Sequence, residues 1–194
     1  MMKLTALSVS ELLSAFRSSE PTPGGGSASA LASAVGASLL AMVAALPKPR
    51  TTTDENVARL AEAGRGCTAL ALQLEALIDQ DSAAYDLVVG AFRLPKSTED
   101  EKTARAGAIQ KALIAATEAP LEVMRRSSAA LALSSTVNDL GNQNATSDVR
   151  VAIGLLRAGL QGARHNVEIN LGSVKDPGYV ERVREESARL SESA

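Results

Sequence analysis

Asn144 and Asp148 stand four residues apart, and so do Asn166 and Asn170. On a helix that spacing makes two side chains neighbours on one face, so each pair would present its polar groups together. A carboxylate beside several amides suits a site that orients a polar ligand while one group moves a proton or faces a positive charge. Asn142 adds a further amide just before them. The same residues also read as helix caps, and an aspartate in a first helical turn, as Asp148 would be, is stabilised by the helix dipole. Asp81 and Asp86 flank Tyr85 and form a second acidic group. Their five-residue spacing does not by itself place both carboxylates on one face.

A different chemistry is available at Pro21-Thr22-Pro23-Gly24-Gly25-Gly26-Ser27. Three glycines where a helix must begin leave its first N–H groups bare, and such an N-terminus can receive an anion. The glycines match neither a Walker A pattern nor a dinucleotide fingerprint, so a flexible turn into a core helix is the competing reading. Cys67 sits in an apolar pattern with no second Cys or His nearby and reads as a packing residue. His165 is the single histidine; alone it reads more readily as a helix-end or interface residue than as a catalyst.

The elements that must position these groups read as helices. Ser8 and Glu11 form a capping box for a short helix ending before Pro21. After the glycines an apolar segment runs to about Leu46, with Leu31, Val35, Leu39, Met42, Val43 and Leu46 as its expected packing stripe and alanines keeping the other sides narrow. So few charges place that helix at the centre of the protein or at a subunit contact. Pro47 to Thr53 interrupts it. A second long helix is expected from Asp54 to Phe92, with Gly64 and Gly66 marking either a kink or close packing. Leu94 to Glu101 is the next boundary, where Ser97 with Asp100 or Thr98 with Glu101 caps a helix to about Val137 that Pro120 kinks or breaks. Gly141 then ends that region, and Thr146 or Ser147 caps a helix reaching Leu171. A charged amphipathic helix follows Pro177, and the polar C-terminal end is expected to fray.

Composition fits one all-α domain spanning residues 1–194. Aromatics are only 2% of the 194 residues and tryptophan is absent, so bulk comes from aliphatic residues and alanine, which favours closely approaching helices over an aromatic-filled sheet. Twenty basic against 22 acidic residues give a net charge of -2, unlike the basic footprint of a general nucleic-acid binder. One cysteine and one histidine argue against a disulfide framework and a His/Cys metal centre. The first residues lack the pattern of a secretion signal and no segment reads as a convincing membrane span, so a cytoplasmic location is expected.

Four stretches in order resemble the formiminotetrahydrofolate cyclodeaminase and methenyltetrahydrofolate cyclohydrolase family. They are the Pro21 to Ser27 opening, Ala91-Phe92-Arg93-Leu94-Pro95-Lys96 with Glu101 to Gln110 after it, Gly141-Asn142-Gln143-Asn144 with Ser147-Asp148, and Asn166-Val167-Glu168-Ile169-Asn170. The resemblance implies an elongated all-α bundle of long, partly kinked antiparallel helices, a homodimer with sites near subunit contacts, and no obligatory metal or redox cofactor. It implies chemistry on the one-carbon unit of tetrahydrofolate: closure of a methenyl bridge with loss of ammonia, or opening of that bridge by water. Asp148 is then the leading acid/base or cation-stabilising residue and Asp81 the next. Asn142, Asn144, Asn166 and Asn170 would orient the folate, the water or the amine. Lys96 and the turn Gly24, Gly25, Gly26 and Ser27 would bind substrate, with the glutamate carboxylates as their targets. At Pro47 to Thr51 the chain departs from the family's glycine and lysine-rich, aromatic-ended segment, which bears on substrate preference. The alternative is a non-catalytic folate-binding or helical scaffold protein.

Overall fold

A computed structural model describes residues 3–47 and 53–192. Among the described residues there is no strand, and six helices follow in order: α1 (Val9–Phe16), α2 (Gly25–Ala45), α3 (Asp54–Phe92), α4 (Glu99–Leu140), α5 (Thr146–Leu171) and α6 (Pro177–Glu192). Short 3-10 turns lie at Leu4–Ala6 and Gln143–Ala145. Helices α2 to α5 pack each on the next, and α5 closes back on α2. Short connections make neighbours antiparallel, so the result is an up-and-down four-helix bundle. At 1.5 Å per residue α3 and α4 are about 58 and 63 Å long, which makes the bundle elongated.

Local hydrogen bonding starts most of these helices. Ser8 accepts the Glu11 N–H at 3.3 Å while Glu11 accepts the Ser8 N–H at 2.8 Å. Thr98 and Glu101 form the same reciprocal pair on α4, and the Ser97 N–H also donates to Glu101 rather than Ser97 capping with Asp100. The start of α5 differs from expectation. Neither Thr146 nor Ser147 caps it; a 3-10 turn precedes it, capped by Asn142, whose Oδ1 accepts the Asn144 N–H at 3.0 Å.

Gly64 and Gly66 do not interrupt α3. A Cβ on Gly64 would stand 2.9 Å from the Ala44 Cβ, and one on Gly66 would stand 2.9 Å from Leu133 Cδ1, so both serve close packing. Helix α4 is likewise continuous through Pro120 and ends at Leu140 rather than Val137. Proline has no N–H, which strips the Ala116 carbonyl of its helical partner. Asn170 of α5 donates to that carbonyl instead, Nδ2 to oxygen at 2.7 Å.

The packing face of α2 is only partly the expected one: Val43 is buried and Leu39 and Leu46 are half-buried against the core, whereas small residues supply the rest. Its small residues face inward: Ser27, Ala30, Ser33, Gly36 and Ala37 are buried together with Leu40 and Val43. Val35 is 43% exposed and Met42 39%, and with half-buried Leu31 they lie on an outward ridge with Ala28, Ser38 and Ala45. The reason is backbone proximity: a Cβ on Gly36 would stand 2.8 Å from the Ala152 carbonyl of α5, an approach that large side chains would block. Leu40, Leu60, Leu74, Leu121, Met124 and Leu156 fill the core beside this seam, each burial worth about 1.5–3 kcal/mol. By length and composition α2 is also apolar enough to cross a membrane, yet here it packs on α3, α4 and α5.

Helix α1 buries no residue, whereas the turn before it is tied to α3 through Thr5 Oγ1 and Asp79 at 2.8 Å. Helix α6 is held by Arg125, which donates to both carboxylate oxygens of Glu186 at 2.7 Å, and by buried Tyr179 and Val183.

The α2–α5 seam yields a stability test. Gly159→Val should cost about 2–3 kcal/mol in denaturant unfolding, because overpacking a closed contact forces backbone shifts and its Cβ would stand 2.6 Å from the Ser29 carbonyl. Gly154→Ala, whose Cβ would meet nothing within 4 Å, should be neutral or stabilising by up to about 1 kcal/mol.

Candidate active site

Four helices and one connection converge at the end of the bundle where α2 begins. They enclose a cavity of about 290 Å³ lined by Pro21, Thr22, Gly24, Gly25 and Gly26 before and within α2, by Asp81, Tyr85 and Val88 of α3, by Leu113 and Ala116 of α4, and by Asn166, Ile169 and Asn170 of α5. Larger clefts run along α2 and α3, the first of about 550 Å³, but its walls are mostly alanine with Arg65 and Thr68 as the polar members. Convergent polar groups distinguish a ligand site from a groove, and the smaller cavity has them around the half-buried Asp81 carboxylate.

Asp81 is the centre of that convergence. Its carboxylate lies against the first turn of α2, in space that a Cβ on Gly26 would occupy. Ser27 bonds it twice, through its backbone N–H and through Oγ, which lies 3.0 Å from Asp81 Oδ2. The helix start expected to receive a substrate anion therefore already holds an anion of the protein itself. Ser27 is completely buried and its Oγ also lies 3.0 Å from the Ile78 carbonyl and 3.2 Å from Ser82 Oγ. It thus holds Asp81 and does not line the cavity. Burial pushes the Asp81 carboxyl up, with the two Ser27 hydrogen bonds opposing but not cancelling that effect. A carboxyl whose pKa is raised in this way holds a proton more readily than an ordinary aspartate, which suits it to proton transfer.

The amides face the cavity in a fixed sense. Asn166 donates Nδ2 to the Gly162 carbonyl at 2.8 Å, and Asn170 donates Nδ2 to Ala116. Each bond uses one of the two N–H donors of its amide, so a second N–H and the amide oxygen of each remain for a ligand. Asp81 adds carboxylate acceptors, Thr22 and Tyr85 contribute hydroxyls, and no Lys, Arg or His belongs to the lining. It suits a cationic or N–H-rich ligand rather than an anion. For a metal the lining offers one carboxylate and no imidazole or thiolate, and no cluster of three metal-binding side chains occurs among the described residues.

The other residues singled out in the sequence lie elsewhere. Asp148 is at the opposite end of α5 from Asn166, eighteen residues away, or about 27 Å along the axis. Asn142 is near it and donates to the Pro47 carbonyl at 2.9 Å; Asn144 is exposed, as is Lys96 in the α3–α4 connection. Asp86 borders a separate groove with Leu87 and Lys111. His165 is exposed beside Glu168, and Cys67 is buried, its thiol pushed up to about 11 by desolvation. The divergent segment at Lys48 to Thr52 lies outside the described residues. Tyr85 and Val88 were given no role from sequence, although the 81, 85, 88 spacing places them on the face of Asp81.

The comparisons with known proteins agree with this architecture. A family model described as formiminotransferase-cyclodeaminase matches residues 8–189. The chain belongs to that family. It is 38% identical over 186 residues to a methenyltetrahydrofolate cyclohydrolase of Methylorubrum extorquens, covering 95% of this chain and 89% of that protein. It is 33% identical to the formimidoyltransferase-cyclodeaminase of Rattus norvegicus over 89% of this chain but 32% of that longer protein. Among solved structures, a formiminotetrahydrofolate cyclodeaminase of Thermotoga maritima superposes with a TM-score of 0.87 at 25% identity, over 98% of this chain and 91% of that one. Every residue lining the cavity falls inside the segment matched by the formiminotransferase-cyclodeaminase family.

Asp81→Asn tests the site twice. A buried carboxyl with a raised pKa destabilises the fold once ionised, so its contribution is most favourable below about pH 4, the unfolded value, and is lost as pH rises through the folded one. The variant should therefore unfold at a higher temperature at pH 7, with the difference shrinking towards pH 4. Turnover should fall by roughly 10²-fold or more; unchanged turnover removes Asp81 from the chemistry.

Proposed function

We propose that the protein is a methenyltetrahydrofolate cyclohydrolase, with the cavity at the start of α2 holding the ring and its one-carbon bridge. The carrying observation is a lining whose one charged group is the half-buried Asp81 carboxylate, with two oriented amides beside it, because the methenyl bridge is a delocalised cation that such a wall stabilises. Hydrolysis is preferred over cyclodeamination on the near full-length similarity to a protein named as a cyclohydrolase. In this reading ionised Asp81 takes a proton from water as its oxygen bonds to the bridge carbon. The carbinol that results loses its hydroxyl proton as the C–N5 bond breaks, and Asp81 returns its proton to N5. The formyl group stays on N10 and one proton is released overall. Asn166 and Asn170 orient the ring, and Lys96, outside the cavity, is the candidate contact for the glutamate carboxylates. No step is assigned to a metal or a redox cofactor.

Cyclodeamination is the second reading, favoured by the fold match to a cyclodeaminase. The same carboxyl, protonated, would donate to the departing ammonia as N10 attacks the formimino carbon. Absorbance of the methenyl bridge separates the two. Loss of the methenyl signal alone is the expected outcome, formation of the signal from the formimino substrate would assign the deaminase, and neither turnover nor folate binding would leave a helical scaffold.

We further propose a cytoplasmic homodimer formed across the outward ridge of α2. Val35 and Met42 leave that ridge apolar and open, and a contiguous exposed apolar strip on a core helix suits a subunit contact. The cavity sits at the N-terminal end of α2, while Asn142 is tied to Pro47 just beyond its C-terminal end. An antiparallel pair related by a two-fold axis near Val35 exchanges those ends. It would bring the partner subunit's Asn142, Asn144 and Asp148 towards this cavity and give Asp148 a role its own protomer does not.

Subunit mixing tests that arrangement. Asp81→Asn and Asp148→Asn dimers should each be inactive, and after exchange the mixture should recover about a quarter of wild-type turnover, since half the dimers regain one intact site. No recovery with exchange verified by mass would place Asp148 outside the shared site. Val35→Asp should give a monomer in a solution mass measurement.

A further inference from the structure

Pro120 lies in the interior of α4, where a proline costs helix stability and the sequence offers no turn to justify it. Its consequence is local. Without an N–H at position 120, the Ala116 carbonyl has no helical donor, and Ala116 lines the cavity. The donor it receives is Nδ2 of Asn170, from the facing helix, at 2.7 Å. Asn166 makes a different arrangement, donating to the Gly162 carbonyl of its own helix, four residues back. Asn170 thus depends on a vacancy in another helix's hydrogen-bond ladder.

We propose that Pro120 is a positioning residue: by leaving the Ala116 carbonyl free it anchors the Asn170 amide through one N–H, which fixes the plane in which its remaining N–H and its carbonyl oxygen meet a ligand ring. A fixed amide discriminates against rings whose hydrogen-bonding edge does not match it, because the amide cannot rotate without abandoning Ala116. The selected ligand class is therefore a planar heterocycle with a hydrogen-bonding edge. Assigning that edge to a tetrahydropterin rests on the folate reading above, whereas the hold of Pro120 on Asn170 does not.

Pro120→Ala separates this role from a structural one. Restoring the N–H should leave the unfolding temperature unchanged or raised, since alanine suits a helix interior, while KM rises roughly fivefold and kcat stays within about twofold, as expected for weakening one orienting hydrogen bond. In nitrogen-15 spectra the Asn170 side-chain NH2 pair should shift and exchange faster with solvent. Added to Asn170→Ala, the same substitution should change KM no further, because the two act as one unit. Asn170→Asp, whose ionised carboxylate has no proton to give Ala116, should raise KM at least as much and serves if Pro120→Ala does not fold. The proposal is overturned by an unchanged KM and Asn170 signal in Pro120→Ala, by a full effect of that change in the Asn170→Ala background, or by a wild-type KM in Asn170→Asp. A wild-type protein inert towards folates whose Asn170 signal still responds to Pro120→Ala would sink the folate reading and leave the positioning role standing.

Discussion

The contact on which the rest depends is the Asp81 carboxylate lying on the first turn of α2. It joins two helices 54 residues apart in the chain at Ser27 and Asp81, satisfies a helix start that has no side-chain cap of its own, and puts the cavity's one carboxylate where burial raises its pKa. Each effect needs the others. Gly26 must lack a Cβ for the carboxylate to approach, and the α2 N-terminus must be bare for the approach to be favourable. The glycines are thus explained by an internal anion, with the helix dipole offsetting part of the cost of burying a charge.

That arrangement sets the character of the site. A helix start that has accepted an internal anion has less to offer an external one, and the two amides that complete the wall are each anchored through one N–H. What remains is one carboxylate with two oriented amides. The electrostatics of the cavity follow from backbone hydrogen bonding in the helices around it, including the one bond that Pro120 withholds, more than from any abundance of charged residues.

The helices were largely legible before the structure, because their ends are local events. Ser8 with Glu11, Thr98 with Glu101, and the Asp54 to Phe92 span depend on residues three or four apart, a distance at which spacing and chemistry coincide. The site was legible only in pieces. Gly24 to Gly26, Asp81, Asn166 and Asn170 share one cavity, but nothing in their spacing favoured Asp81 over Asp148, which has the more polar neighbourhood in the sequence. Ser27, expected among the ligand contacts, is turned inward to hold Asp81.

Periodicity also misjudged part of the face on which α2 packs. Large residues normally mark a buried face, so Leu31, Val35, Leu39 and Met42 looked inward and the alanines outward. Val35 and Met42 instead face outward and most of the small residues inward, because α5 approaches so closely at Gly36 and Gly159 that only small side chains fit between the backbones. Capping and hydrophobic content wrote an all-helical chain with nearly correct boundaries into the residues themselves. Which carboxylate is buried, which face of α2 is left open, and which way Asn170 points were decided by the tertiary structure, since each is set by groups that lie far apart along the chain and meet only when the helices pack.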